Sequence, residues 1–329
     1  MLNKTLNKKI FDEDCEKVAT RDGMGRGLEE AAAKDSRIVG ICADLTESTR
    51  MEWFAKKFPE RFFEAGITEQ HIASMGSGMA AMGKIPFIAS YAAFSPGRNW
   101  EQIRTTICYN DQSVKIVGSH AGISTGPDGG THQALEDIAL TRIIPRMVVI
   151  SPCDSIEAKK ATLALAQTND PTYIRLTRAK TPVITTEETP FEIGKAETFF
   201  ESKGDTIDVG IIATGPLVFE ALKAANELDK EGVKVKVLNL STIKPLDEKA
   251  ILNLAKESNA IVTVEEHQVA GGMGSAVSEF LSREKPTIIE FVGIKDRFGE
   301  SGDPDELTSF FKLDSLSIKK AVSIILSKK

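Results

Sequence analysis

Short runs of near-continuous Val, Ile and Ala alternate along this chain with longer stretches that mix apolar and charged positions. Arg37–Cys42, Pro86–Ala89, Val114–Gly118, Met147–Ser151 and Thr172–Leu176 are of the first kind and predict buried strands. Asp154–Gln167 is of the second. It puts Asp at an N-cap position, Glu157 in the first turn, and Ile156, Ala161, Leu163 and Leu165 among Lys159 and Lys160, which predicts a helix. Strands that are apolar on both faces and separated by helices predict a mainly parallel sheet covered on both sides. By this pattern a first domain spans residues 1–181. Residues 182–205 turn to Thr, Glu, Pro and Gly, a connecting segment with room for a short strand. The alternation then resumes over 206–329. Ile207–Ala213, Val233–Leu238, Ala260–Val264 and Thr287–Phe291 read as strands, with Leu246–Glu257 and Gly274–Ser282 as helices and Gly215-Pro216 turning into another. The fold class is therefore α/β: two domains, each a mainly parallel sheet flanked by helices.

Composition supports two cores rather than one, because the chain has 329 residues with 41% apolar side chains. Lys plus Arg number 41 against 47 Asp plus Glu, a net charge of −6 that disfavours a diffuse hold on nucleic acid or an anionic membrane. Met1–Phe11 alternates Lys and Asn with isolated apolar residues and lacks the apolar run of a secretory signal. No segment reaches the roughly 20 apolar residues of a membrane span. Cys15, Cys42, Cys108 and Cys153 form no metal-clamp pair and no disulfide framework. A reduced, cytoplasmic protein is the expectation.

Three of the four histidines, His71, His120 and His132, lie beside Gly-rich or strand-end segments of the first domain, where α/β folds gather their sites. Gly66-Ile67-Thr68-Glu69-Gln70-His71 precedes a helix of small residues, Ala73 to Gly83. A carboxylate at its head would be partly buried, and burial lets a glutamate hold or share a proton near neutrality. Glu69 reads equally as a cap that complements the helix dipole. Tyr91 and Phe94, three apart after a strand, suit either core packing or a wall for a planar ring. Ser119 to Gln133 holds four glycines, a proline, two histidines and Asp128. Its backbone must approach something closely, with proton carriers at hand. Metal binding by His120, Asp128 and His132 lacks a standard ligand spacing.

Taken together, these segments resemble the C-terminal half of transketolase, its pyrimidine-binding domain and the domain after it, over nearly the whole chain. The segments Asp44-Leu45-Thr46-Glu47-Ser48, Gly66–His71, Tyr91–Arg98, His120–His132 and Leu176-Thr177-Arg178 carry the first part of the likeness. Ile243-Lys244-Pro245-Leu246-Asp247, Val264-Glu265-Glu266-His267, Gly271-Gly272-Met273-Gly274-Ser275 and Phe298-Gly299-Glu300-Ser301-Gly302 carry the second. The resemblance implies thiamine diphosphate as cofactor. Glu69 matches the glutamate that bonds N1′ of the aminopyrimidine, so that the cofactor loses its C2 proton, attacks a ketose and passes on a two-carbon enamine. The cofactor supplies the carbanion chemistry and the protein the orientation and proton handling. Glu69, His120 and His132 are the implied catalytic residues. Tyr91 and Phe94 would contact the cofactor ring, with Asp44 nearby. His120, Asp128 and His132 would contact the sugar, and Arg21, Ser48, His132 and Arg178 its phosphate, since paired guanidinium groups fix the distant end of such a substrate.

Two positions depart from the pattern. Thr68 precedes Glu69 as in deoxyxylulose-phosphate synthases, and Gly97 replaces a frequent aromatic, while His120 and the phosphate set favour transketolase. The family holds magnesium or calcium and the diphosphate through a Gly-Asp-Gly segment, and this sequence has none; Gly204-Asp205-Thr206 is the nearest string. The resemblance thus implies no metal ligand here and a separate N-terminal subunit that carries the metal, in an α2β2 assembly inactive without it. Other readings are a deoxyxylulose-phosphate synthase-like enzyme, the β subunit of a 2-oxoacid dehydrogenase, and a dinucleotide-binding or non-catalytic partner protein. For the last, Gly23-Met24-Gly25-Arg26-Gly27 and Gly271–Gly274 lack the dinucleotide spacing. The first reads better as a helix opening, the second as tight packing at a helix start. His267 reads as structural or at a subunit interface.

Overall fold

The computed structural model describes residues 1–329. Its first half runs β1 (Lys17–Ala19), α1 (Thr20–Lys34), β2 (Ile38–Cys42), α2 (Met51–Lys57), β3 (Phe62–Glu64), α3 (Glu69–Ala81), β4 (Ile85–Tyr91) and α4 (Trp100–Gln102), which continues as a π-helical turn over Ile103–Tyr109. Then come β5 (Lys115–Ser119), α5 (Asp137–Arg142), β6 (Val148–Ile150), α6 (Ser155–Leu165), β7 (Thr172–Arg175) and β8 (Lys180–Pro182). The second half runs β9 (Glu197–Glu201), β10 (Val209–Ala213), α7 (Val218–Lys230), β11 (Val235–Asn239), β12 (Thr242–Lys244), α8 (Glu248–Ser258), β13 (Ala260–Gln268), α9 (Met273–Glu284), β14 (Ile288–Ile294), α10 (Pro304–Phe310) and α11 (Ser315–Lys328).

Two sheets result, both mainly parallel and flanked by helices as the sequence pattern requires. One has the order β12-β6-β7-β5-β4-β2-β3, the other β14-β13-β10-β11-β9. Only the edge strands β12 and β9 run antiparallel within them. A separate antiparallel pair, β1 with β8, ties residues 17–19 to 180–182.

Sequence position and sheet membership part company in three places. The short strand expected between the domains is β9, and it forms the edge of the second sheet. Leu6 and Ile10 leave the first half to pack in one core with Phe199, Phe200 and Val209. In the other direction, β12 adds Thr242 and Lys244 to the first sheet beside Ile150 and Val149. Lys244 Nζ then donates to the carbonyls of Arg142 and Ile144. Apolar packing is continuous across the junction, where Ile212, Leu238 and Leu240 share a cluster with Val149 and Ile144.

The glycines of Gly23–Gly27 lie inside α1 rather than ahead of it. A Cβ on Gly23 would stand 1.8 Å from the carbonyl oxygen of Ser155, and one on Gly27 2.8 Å from that of Lys159. These residues let α1 lie directly on α6, a close approach that overrides the helix-weakening tendency of glycine. Asp154 caps α6 through its Oδ1, which accepts from Glu157 N at 2.8 Å. Its Oδ2 accepts from Ile184 N and Thr185 N. Gly271–Gly274 opens α9, whose first N–H groups, on Met273 and Gly274, donate to the buried carboxylate of Glu265. His267 is buried, with Nδ1 on the carbonyl of Gln268 at 2.7 Å. Burial pushes its pKa down to about 4.

Candidate active site

Four parallel strands end at one edge of the first sheet. Beyond them lie Asp44 after β2, Tyr91 at the end of β4, His120 after β5 and Arg178 after β7. Helices α1 and α3 deliver Arg21 and Glu69 to the same edge. This is where the loops of an open parallel sheet collect ligands.

Glu69 is the first residue of α3 and is 2% exposed. Its Oε2 accepts from Arg98 Nη1 at 2.7 Å. No first-turn N–H reaches the carboxylate, and its Oε1 has no hydrogen-bond partner within the chain. The side chain therefore does not cap the helix. Asn99 Nδ2 holds the same residue from behind by donating to the carbonyl of Glu69 at 2.9 Å and to Ser95 Oγ at 3.1 Å. The guanidinium of Arg98 also lies over the Phe94 ring, 5.0 Å from its centroid.

Tyr91 and Phe94 are half-buried rings 6.1 Å apart and 15° from parallel. Tyr91 stacks on the imidazole of His120 at 3.8 Å, and His132 meets Phe94 edge-on at 5.5 Å. Part of each ring is therefore packing surface for a histidine.

His120 is 1% exposed and adopts φ +56°. Arg21 Nη1 donates to its Nε2 at 3.1 Å, so the ring proton sits on Nδ1 and donates to Ser119 Oγ at 2.9 Å. Burial, followed by the charges of Arg21, Arg178 and Arg50, pushes its pKa down to about 3. The imidazole is neutral and its tautomer is fixed. Arg21 also donates to the carbonyl of Ser48 at 2.8 Å, while its buried Nε has no partner. Burial and the neighbouring Arg50 lower the pKa of Arg21 as well. Arg178 is brought alongside by Thr20, whose Oγ1 accepts from Thr177 N at 2.8 Å and so ties α1 to the strand end. Three guanidinium groups around one neutral histidine, with an unpaired N–H among them, suit an anion.

Asp44 is exposed and adopts φ +56°, and its N–H donates to Glu64 Oε1. Asp128 is exposed on the loop with no hydrogen bond or ion pair to its carboxylate, and Ser48 meets Arg21 through its carbonyl alone. His71 is exposed on α3. No group of three or more His, Cys, Asp or Glu residues is arranged to hold a metal. Arg98, Asn99, Arg50 and Glu64 were not foreseen. The first two lie just past the aromatic pair, where a cation and an amide so close to a strand end are the signal that sequence reasoning passed over.

Residues 16–183 match the family described as transketolase, pyrimidine binding domain, and residues 172–318 match transketolase, C-terminal domain. A protein of Methanocaldococcus jannaschii named putative transketolase C-terminal section is 43% identical over 92% of this chain and 94% of its own. A 6-deoxy-6-sulfo-D-fructose transketolase subunit from Clostridium sp. is 39% identical over 97% and 98%. Among solved structures, one described as a split gene transketolase, inactive beta4 tetramer, superposes with a TM-score of 0.87 at 39% identity. It covers 94% of this chain and 99% of that one.

Proposed function

Since the chain belongs to the transketolase family, we propose that it is the C-terminal subunit of a split transketolase. It transfers a two-carbon ketol unit from a ketose phosphate to an aldose phosphate, and turns over only when assembled with an N-terminal subunit. That subunit would carry the diphosphate and magnesium or calcium site, in an α2β2 assembly.

One observation carries the reading: an unbroken series of contacts joins a buried carboxylate to an anion-ready guanidinium group. Glu69 meets Arg98, Arg98 lies on Phe94, Phe94 meets His132 and Tyr91, Tyr91 stacks on His120, and His120 accepts from Arg21. The residues present fit the ring end of thiamine diphosphate. Glu69 offers a free carboxylate oxygen beside two half-buried aromatic faces, and the unpaired Asn99 Oδ1 lies in the same segment. When bound, the cofactor supplies the carbon nucleophile and electron sink that cleavage next to a ketose carbonyl needs.

The chain's own residues then divide the work. Glu69 holds or releases a proton at the cofactor ring nitrogen, and Tyr91 and Phe94 fix the ring plane. His120, a neutral imidazole with Nδ1 on Ser119 and Nε2 on Arg21, would meet a substrate hydroxyl by exchanging the Arg21 donation for it, and does not act as a cationic acid. His132 and Asp128 supply further partners for the sugar chain. Arg21 and Arg178, with Ser48, grip the anionic end, and this anchoring sets the reacting carbonyl in place. A relative's name gives a sulfonated fructose as substrate, so the proposed grip reads the terminal anion more than the particular sugar.

The test assays the purified chain, alone and with the co-purified N-terminal subunit, on xylulose 5-phosphate and ribose 5-phosphate with thiamine diphosphate and Mg²⁺. Turnover is expected only with the partner. Robust turnover by the chain alone, or release of CO₂ from a 2-oxoacid, would overturn the proposal. Glu69→Ala is expected to abolish turnover and leave the circular dichroism spectrum unchanged. Near-normal turnover would remove Glu69 from the chemistry.

A further inference from the structure

The loop that carries His120 and His132 is not held by the first sheet alone. From β13 in the second sheet, Glu266 extends its carboxylate into the loop, where Oε1 accepts from Ser124 N at 2.7 Å. Gly122, at φ +81°, lies against that carboxylate so closely that a Cβ there would stand 2.4 Å from its carbon. The next residue along passes the contact on in two directions. Thr125 Oγ1 donates to the carbonyl of His120 at 2.7 Å, and the carbonyl of Thr125 accepts from Arg178 Nη1 at 3.1 Å.

Glu266 is itself fixed. Arg175 Nη2 donates to its carbonyl at 2.8 Å and Arg175 Nε donates to Asp137 Oδ2 at 2.9 Å, a carboxylate that also accepts from Tyr173. All of these side chains are buried. A single carboxylate from one half of the chain thus sits behind the turn that sets both the main chain of His120 and the guanidinium of Arg178.

We propose that Glu266 is a positioning residue for the sugar-phosphate grip: the second domain uses it to lock the Gly122–Thr125 turn and so places His120 and Arg178 for substrate. This rests on the assignment of His120 and Arg178 to substrate binding. The role belongs to the acceptor oxygen aimed at Ser124 N, so Glu266→Gln, which keeps an acceptor, should preserve the lock and Glu266→Ala should release it.

The experiment pairs two readouts on the full chain. Amide hydrogen exchange reports the lock directly. In Glu266→Ala the Ser124 amide should exchange at least about tenfold faster, while in Glu266→Gln it stays close to the parent protein. In the assembled enzyme, Glu266→Ala should raise KM for the ketose phosphate by roughly tenfold or more, as expected for losing a charge-assisted bond. Affinity for thiamine diphosphate should stay within about twofold in the same variant, and Glu266→Gln should restore most of the KM. Unchanged exchange at Ser124 overturns the proposal, as does a KM rise accompanied by an equal loss of cofactor affinity. A glutamine variant as impaired as alanine also overturns it. Faster exchange with an unaltered KM would leave the lock standing but remove its role in substrate binding. The parallel variant His120→Ala separates the underlying assignment: if its KM is also unaltered, the substrate reading itself has failed.

Discussion

The state of His120 is the point at which the site's electrostatics can be checked most directly. Its pKa is pushed from the ordinary 6.5 down to about 3, first by burial and then by Arg21, Arg178, Arg50 and His132. A depression of that size corresponds to roughly 5 kcal/mol against the imidazolium, taking 1.36 kcal/mol per unit. The sign follows from proton uptake. Between pH 6.5 and about 3 the unfolded chain binds a proton at this position and the folded chain does not. Stability therefore falls by up to about 1.4 kcal/mol per pH unit from this group as pH is lowered through that window. Arg21→Met removes the largest charge contribution but not the burial, so it should raise the pKa by about one unit and not return it to the ordinary value. The assay is a proton NMR titration of the histidine ring resonances, with His120→Asn to identify the signal. A His120 signal that titrates between pH 6 and 7 in the parent protein would refute the enclosure described here. A signal unmoved by Arg21→Met would refute the contact with Arg21.

Other outcomes follow from packing and burial. Gly23→Val must separate α1 from α6, because its first added carbon would overlap the Ser155 carbonyl; a loss of about 3 kcal/mol in denaturant unfolding is expected. Gly78→Ala faces open space inside α3 and should instead stabilise the isolated chain by up to about 1 kcal/mol, so equal effects at the two glycines would refute this packing. Lys115 is fully buried at the start of β5, with Nζ donating to the carbonyls of Thr168 and Asp170, and burial lowers its pKa to about 7. Stability should rise as pH climbs from 7 toward 10.5, by up to about 1.4 kcal/mol per unit from this group, and Lys115→Met should flatten that slope in urea unfolding.

Most strands of both sheets could be read because a buried parallel strand is apolar on both faces and needs no partner to look like one. Ile38–Cys42 and Val209–Ala213 are of this kind, whereas the three-residue edge strand β3, Phe62–Glu64, was missed. Strand β12 could not be read, since Thr242-Ile243-Lys244, stopped by Pro245, is too short to show a period and becomes a strand only by pairing with β6. Glu69, Tyr91, Phe94, His120 and His132 stand in segments whose composition advertises a site, and contacts join them into one chain through Arg98. Asp44 was named by likeness alone and Asp128 by the composition of its loop, and no contact inside the chain explains either side chain. Arg98 and Glu266 illustrate what periodicity does not carry. One acts through a carboxylate 29 residues away and the other through a loop 142 residues away.

The strand that leaves the second half to finish the first sheet bears on how such a chain can be inherited or re-engineered. A cut anywhere between residues 205 and 241 would strip β6 of one of its two neighbours, move the open edge of the sheet inward from the short β12 to β6, and remove the lysine that binds the carbonyls of Arg142 and Ile144. Gene fission that separates these two halves would therefore uncover a strand edge as well as divide the two sheets. The modular unit that recombination can move intact is the interlocked pair, with β12 and the crossing N-terminal segment as its clasps.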